Sequence, residues 1–257
     1  MSADLNVKFS QQFTSPIWEV KATEKYLLVN TRDDEELSSE FALIDLKETQ
    51  LLWEGLAFED AWWVSAYHLT DEQIVIQKFE DSQNIEDRSV FGFDLSTQEI
   101  PWSLEKVLLL GADGNQIQIR DEEDSTLIFD IREQAWIERH EDVEPLDIEY
   151  PYHYETEMGH FETLAKFLKV KAQIDLEGSC DYLEYGNKIL ISANHVIGGE
   201  KALSLYIFDL AGKLLYQEIL DEQGSGLISG SFFIVKGSVI FVSRKKELKI
   251  LELNEKV

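Results

Sequence analysis

Phe41-Ala42-Leu43-Ile44-Asp45-Leu46 is an apolar run that meets one acid and closes on an aliphatic residue, and the chain repeats it. The phrase returns as Val90-Phe91-Gly92-Phe93-Asp94-Leu95, as Thr126-Leu127-Ile128-Phe129-Asp130-Ile131, as Leu205-Tyr206-Ile207-Phe208-Asp209-Leu210, and as Leu248-Lys249-Ile250-Leu251-Glu252-Leu253. A second apolar run precedes each copy: Tyr26 to Val29, Ile74 to Ile76, Ile117 to Ile119, Lys188 to Ile191 and Val239 to Val242. After four of the five, a turn leads to a short run bearing one aromatic residue, Trp53, Trp102, Trp136 or Tyr216. The runs are short, rich in β-branched and aromatic residues and bounded by turn formers, so they read as strands. Unbroken apolar stretches in the middle strands imply burial on both faces.

The acids of the phrase lie 49, 36, 79 and 43 residues apart, the third gap being close to twice the others. A period near forty with four strands per unit is that of a propeller blade, the competing reading being an antiparallel sandwich that echoes itself. The expected fold is therefore all-β, a β-propeller of four-stranded antiparallel blades in a single domain spanning residues 1–257. It has five clear repeats plus a degenerate or helix-containing sixth unit. The last repeat ends at Leu253 with no outermost strand, and Val7 to Phe13 could supply one from the N-terminus, removing an open edge. Residues 141–178 break the pattern: Phe161, Leu164, Ala165 and Leu168 sit at helical spacing, and Val170, Ala172, Ile174 and Leu176 then alternate.

The stretch Phe41-Ala-Leu-Ile-Asp45-Leu46 followed by Leu51-Leu52-Trp53-Glu54 resembles the blade repeat of quinoprotein-type propellers, in which an apolar-Asp-apolar strand is followed by a turn and a Leu-Trp pair. The likeness is good in this blade, partial in three others and absent from 141–178. Glu48-Thr49 stands where that family has Thr-Gly. Quinone chemistry does not carry over, because those enzymes are larger, usually exported and often carry adjacent cysteines. The nearer resemblance is to small uncharacterised bacterial β-propellers grouped as domains of unknown function, and it implies a fold without an activity.

Charge narrows the partners. Against 23 Lys and Arg stand 50 Asp and Glu, a formal net charge of -27. Such a surface repels phosphate backbones and anionic lipid, so nucleic acid and membrane are not expected partners. A protein or a small-molecule ligand remains. The start, Met1-Ser-Ala-Asp-Leu5, lacks the basic and apolar regions of a leader. No run is long and apolar enough for a membrane helix, and Cys180 is the only cysteine. The expected location is cytoplasmic.

Candidate chemistry is sparse. Repetition of Asp45, Asp94, Asp130, Asp209 and Glu252 favours turn architecture over catalysis. Acidic runs at Asp33–Glu36, Glu80-Asp81 with Glu86-Asp87, Asp121–Asp124 and Glu141-Asp142 fall in loops that would open on one face, with the tight turns at 112–115, 211–213 and 236–238 on the other. None has the spacing of an EF-hand loop. Tyr150 to Phe161 is the least repeat-like stretch, and Tyr152, His153, Tyr154 and His160 are its candidate binding residues. His153, His160 and a carboxylate do not match a zinc signature, and neither metal nor cofactor is expected. Trp62-Trp63 is a second candidate, whose residues would face opposite ways in an alternating strand, with core packing the plainer role. Gly226-Leu-Ile-Ser229-Gly230 lacks the nucleophile-elbow spacing, and the glycines at 224, 226 and 230 precede a strand rather than a helix. A non-catalytic binding propeller is the first functional expectation. A hydrolase or lyase with an acidic site at the channel mouth is the alternative.

Overall fold

The computed structural model describes residues 5–81, 83–138, 142–222 and 230–253. Glu141, the glycines at 224 and 226, and Ser229 lie outside them. The chain forms two compact units, residues 1–20 with 147–257 and residues 21–146.

Strand β1 (Val7–Gln12) opens the chain. The first sheet follows as β2 (Ile17–Ala22), β3 (Tyr26–Asp33), β4 (Ser38–Asp45) and β5 (Gln50–Leu56). Strands β6 (Val64–Leu69), β7 (Gln73–Asp81), β8 (Asn84–Asp94) and β9 (Trp102–Glu105) make the second. The third is β10 (Leu108–Asp113), β11 (Gln116–Arg120), β12 (Thr126–Asp130) and β13 (Ala135–Ile137). Two short strands, β14 (Ile148–Glu149) and β15 (Tyr152–Tyr154), precede helix α1 (Phe161–Lys171). The fourth sheet runs β15, β16 (Cys180–Tyr185), β17 (Lys188–Ile197), β18 (Glu200–Asp209) and β19 (Leu214–Asp221). The fifth has the order β1, β22 (Glu247–Glu252), β21 (Ser238–Ser243), β20 (Phe232–Val235), β14.

Each copy of the repeated phrase is thus the third strand of an antiparallel meander. The preceding apolar run is the second strand in the first three sheets, β17 in the fourth and β21 in the fifth. Leu27, Leu28 and Val29, and likewise Ile74, Val75 and Ile76, are 0–1% exposed. Three consecutive buried side chains on a strand need cover on both faces, as the unbroken apolar runs imply. Within residues 21–146, Leu28, Phe41 and Leu43 of the first sheet pack on Ile74, Ile76, Phe91 and Phe93 of the second. Val75, Val90 and Trp102 on the second sheet's other face pack on Ile117, Ile119 and Phe129 of the third.

The expected N-terminal strand is present. β1 pairs antiparallel with β22, with Gln12 opposite Glu247 and Val7 opposite Leu251. Lys8 Nζ lies 2.7 Å from Glu252 across that seam. Among the described residues 142–178 form no further sheet. They form β14, β15 and α1, whose Phe161, Leu164 and Leu168 cover one face of the fourth sheet through Cys180, Ile191, Ala193, Tyr206 and Phe208. Leu183, Leu190, Leu205 and Ile207 point to the opposite face and pack on Phe232, Ile234, Val239 and Phe241 of the fifth sheet. The departure from the repeat therefore has a physical account. A helix covers one face of the fourth sheet, where the second sheet has a neighbouring sheet on each face.

Four of the five repeated acids cap turns. Asp45 Oδ1 accepts from the Glu48 amide at 2.8 Å, and Asp94 Oδ1 from Ser96 and Thr97 at 2.9 and 2.8 Å. Asp130 Oδ1 accepts from Arg132 and Glu133 at 2.9 and 2.8 Å, and Asp209 Oδ1 from Lys213 at 2.8 Å. Glu252 bonds Lys8 instead. Among the described residues no helix is long and apolar enough to cross a membrane.

Candidate functional site

Residues 148–154 are a strap laid along the end strands of two sheets. Ile148 and Glu149 pair with Val235 and Ile234 of the fifth sheet. After Tyr150-Pro151 the chain pairs again, Tyr152 with Tyr182, His153 with Asp181 and Tyr154 with Cys180 of the fourth. Pro151 has no amide hydrogen to donate and lies between the two pairings, where none is needed. β15 is the terminal strand of its sheet.

The side chains differ in exposure. Tyr154 turns inward, its ring 6.2 Å from both Tyr182 and His160 and edge-on to each. Tyr152 is 70% exposed and Tyr150 59%, the latter resting one face on Phe233 at 5.8 Å. Burial of part of its ring pushes the Tyr150 phenol up. Tyr182 donates to Glu184; desolvation first, then that bond to an acid, raises its pKa.

His153 is exposed and yet held in place. Its Nδ1 lies 2.7 Å from Asp181 Oδ1. The other carboxylate oxygen of Asp181 accepts from Ser231, and Ser192 Oγ lies 3.0 Å from that oxygen and 2.8 Å from Ser231 Oγ. Ser192 has one proton to place between those two acceptors. Both serines are buried, and the Asp181 side chain is mostly so. A carboxylate accepts, so Nδ1 carries a hydrogen and donates it to Asp181. The imidazole is held from beneath by a carboxylate that two buried hydroxyls hold in turn.

This arrangement is not a hydrolytic triad. Both hydroxyls address the carboxylate, and neither addresses the imidazole, so no nucleophile stands against a base. His160 contacts Tyr154 rather than His153. Among the described residues no three His, Cys, Asp or Glu side chains converge as a metal site would require.

Trp62 and Trp63 belong to residues 21–146, the other compact unit, and they correct the sequence reading. They lie on a single 3-10 turn, Ala61–Trp63, entered through Asp60 at φ 54°, and not on an alternating strand. Core packing falls to Phe58, whose ring meets Phe41, Phe91 and Phe93 at 5.3–6.0 Å. The tryptophans are thereby left outside the core. The Arg32 guanidinium sits 5.6 Å over Trp62 and bonds Val64 O and Ser65 Oγ, while Trp63 is 42% exposed. Trp136 is 52% exposed, edge-on to Phe129, because β13 is a three-residue end strand.

The acidic runs are partly consumed by their own turns. Asp33 Oδ1 accepts from Glu35 and Glu36, Asp81 Oδ1 from Gln83, and Asp121 Oδ1 from Glu123 and Ser125. These are the second-to-third strand connections of the first three sheets. A cleft of about 670 Å³ lies at the last two, with Arg88, Lys106 and Arg120 among four acids. Lys106 is paired to Glu122 at 3.2 Å and Arg120 to Asp124 at 3.3 Å.

The sequence had missed Asp181, Ser192 and Ser231. Ser192 carried a signal, being a lone hydroxyl inside Ile189-Leu-Ile-Ser192-Ala, where a buried polar group must find a partner. Nothing local pointed to Ser231, fifty residues beyond Asp181.

These features define an all-β protein of repeated antiparallel meanders with a strapped edge. Residues 20–102 match the family model of a domain of unknown function, DUF4905. No curated protein matches the chain. Among solved structures the chain is similar to the computationally designed Ika8 protein at 10% identity and a TM-score of 0.32, covering 92% of this chain and 70% of that one. It is also similar to BamB from Moraxella catarrhalis at 10% identity and a TM-score of 0.26, covering 94% of this chain and 61% of that one.

Proposed function

We propose that the five sheets close into one propeller and that the protein is a non-catalytic binding module of a reducing, cytoplasmic compartment, engaging its partner through residues 150–160. The observation that carries the reading is His153. An exposed imidazole is fixed by a mostly buried carboxylate with two buried hydroxyls behind it, flanked by exposed Tyr150 and Tyr152. Fixing an exposed side chain in advance lowers the ordering cost of association, and exposed tyrosines are typical anchors. A hydrolase is the less supported reading, since both serine hydroxyls are directed at Asp181.

A photo-crosslinking residue placed at position 152 tests this in cells that make the protein, with position 210 as control because Leu210 is 62% exposed. The expected result is one discrete adduct from position 152, lost when His153→Ala is added. Equal labelling from both positions would overturn the proposal. Ring closure is checked by small-angle scattering, where a single compact body of this length has a radius of gyration of about 18 Å and two separated units exceed it.

A further inference from the structure

The strap offers more than side chains. β15 ends its sheet with one row of backbone groups paired to β16 and the opposite row facing away from the sheet. An open edge of this kind is a template for another extended chain, and proteins normally blunt it with short length, lysine, proline or a covering element; β15 has the first of these, at three residues. Here Pro151 blunts the approach to the strand, and β15 itself carries neither lysine nor proline.

The surroundings select the occupant by charge. Residues 147–165 hold Asp147, Glu149, Glu155, Glu157 and Glu162 and no Lys or Arg. Glu155 and Glu157 are exposed directly after the strand. Tyr150 and Tyr152 are exposed beside it, and an accessible aromatic ring can receive a cation. A second copy of this chain would bring the same acids, and a net charge of -27, against them. An acidic segment would meet the same repulsion.

We propose that β15 accepts an extended, Lys- and Arg-bearing segment of a partner protein as an added strand, with its basic side chains over Tyr150 and Tyr152 and against Glu155 and Glu157. This rests on the binding role of residues 150–160 and names the class of partner. The backbone of the added strand supplies affinity, and the acidic, aromatic border supplies the preference for cations.

The test is fluorescence anisotropy of the purified protein with a labelled peptide of about ten residues alternating Lys with Val or Thr, a length that spans an added strand. Three control peptides accompany it: one N-methylated at alternate backbone amides, one with Glu for Lys, and one of the same composition broken by proline. The basic peptide is expected to bind, with affinity falling as salt rises. N-methylation, proline or the charge reversal should each weaken it about tenfold or more, as should Tyr152→Ala or the pair Glu155→Lys and Glu157→Lys in the protein. Equal binding of the N-methylated peptide would overturn strand addition. Absence of binding by every basic peptide would overturn the partner class, while a discrete adduct from position 152 in cells would still uphold the binding role. A dimer seen by sedimentation and dissociated by Tyr152→Ala would overturn the proposal in favour of a second copy. The peptide-side controls need no protein variant to fold.

Discussion

Gly92→Ala puts a single methyl group where the structure has no room for it. Its Cβ would lie 2.4 Å from Trp102 Nε1, 2.5 Å from Cε2 and 2.6 Å from Gln73 Oε1. The Gly92 backbone is not in the left-handed region, so the cost is steric and falls on Trp102 first and on Gln73 with it. That indole is 7% exposed, donates to Gln73 Oε1 at 2.8 Å, and joins the core between the second and third sheets. Gln73 in turn donates to Ile131 O at 3.2 Å, a bond from the second sheet to the end of the third sheet's β12. Displacing the ring forfeits much of what its truncation would, about 3–5 kcal/mol, plus about 1 kcal/mol for the indole bond, with relaxation recovering part. The expected cost is about 3 kcal/mol, a fall in Tm of about 6–12 °C for a chain of this size. Urea denaturation followed by far-UV circular dichroism measures it. If Gly92→Ala acts through Trp102, the double variant with Trp102→Ala costs no more than Trp102→Ala alone. Additive losses, or a Gly92→Ala protein as stable as the parent, would refute the reasoning.

The turn-capping acids make a graded set: Asp94→Ala removes two amide bonds and should cost about 1–2 kcal/mol, against about 1 kcal/mol for Asp45→Ala, which removes one. The same urea series checks the order, and no loss at Asp94 would contradict the capping role. Acid unfolding has a named contributor in Glu218. Burial alone would raise its pKa, but bonds from Lys249, Tyr216 and Ser243 outweigh it and hold it below the usual carboxylate range. Thr97 and Ser96 do the same for Asp94, the Thr97 amide contributing most. Both contributions are present above the unfolded pKa of about 4 and are lost as pH falls through the depressed folded values, so Glu218→Gln should flatten stability against pH below about 4. An unchanged slope would count against the network. Cys180, buried under α1, has its thiol pushed up to about 12 chiefly by desolvation, with Asp181 adding to it. A thiol reagent at neutral pH should therefore label the native protein far more slowly than the protein in denaturant, and equal rates would refute that burial.

What the sequence disclosed follows from how many positions carry each signal. Strands β3, β7, β17 and β21 carry consecutive buried apolar side chains, which burial on both faces requires, and that requirement printed the repeat into the chain. β1 was legible because the last repeat lacked a partner for β22. The capping role of the repeated Asp was legible because a short acid before a turn has one common use. Helix α1 showed in the spacing of Phe161, Leu164 and Leu168, but nothing local told that it covers the fourth sheet and makes no sixth one. β14 and β15 are two and three residues long with mixed burial, too short for any period to register. His153 and Tyr152 were legible as oddities. The support beneath His153 was not, since Asp181, Ser192 and Ser231 come from separate strands or their flanks and meet only in the folded chain. Trp62-Trp63 misled because an aromatic pair reads as core, whereas Phe58 had already filled that space.

Residues 148–156 are the surface proposed to be covered by a partner. Amide hydrogen exchange, read peptide by peptide on the free protein and on the complex with the basic alternating peptide, measures that directly. Slowed exchange confined to 148–156 and the adjoining β16, with α1 and the β17–β18 hairpin unchanged, is the predicted result. Protection elsewhere with the strap unaltered would contradict it.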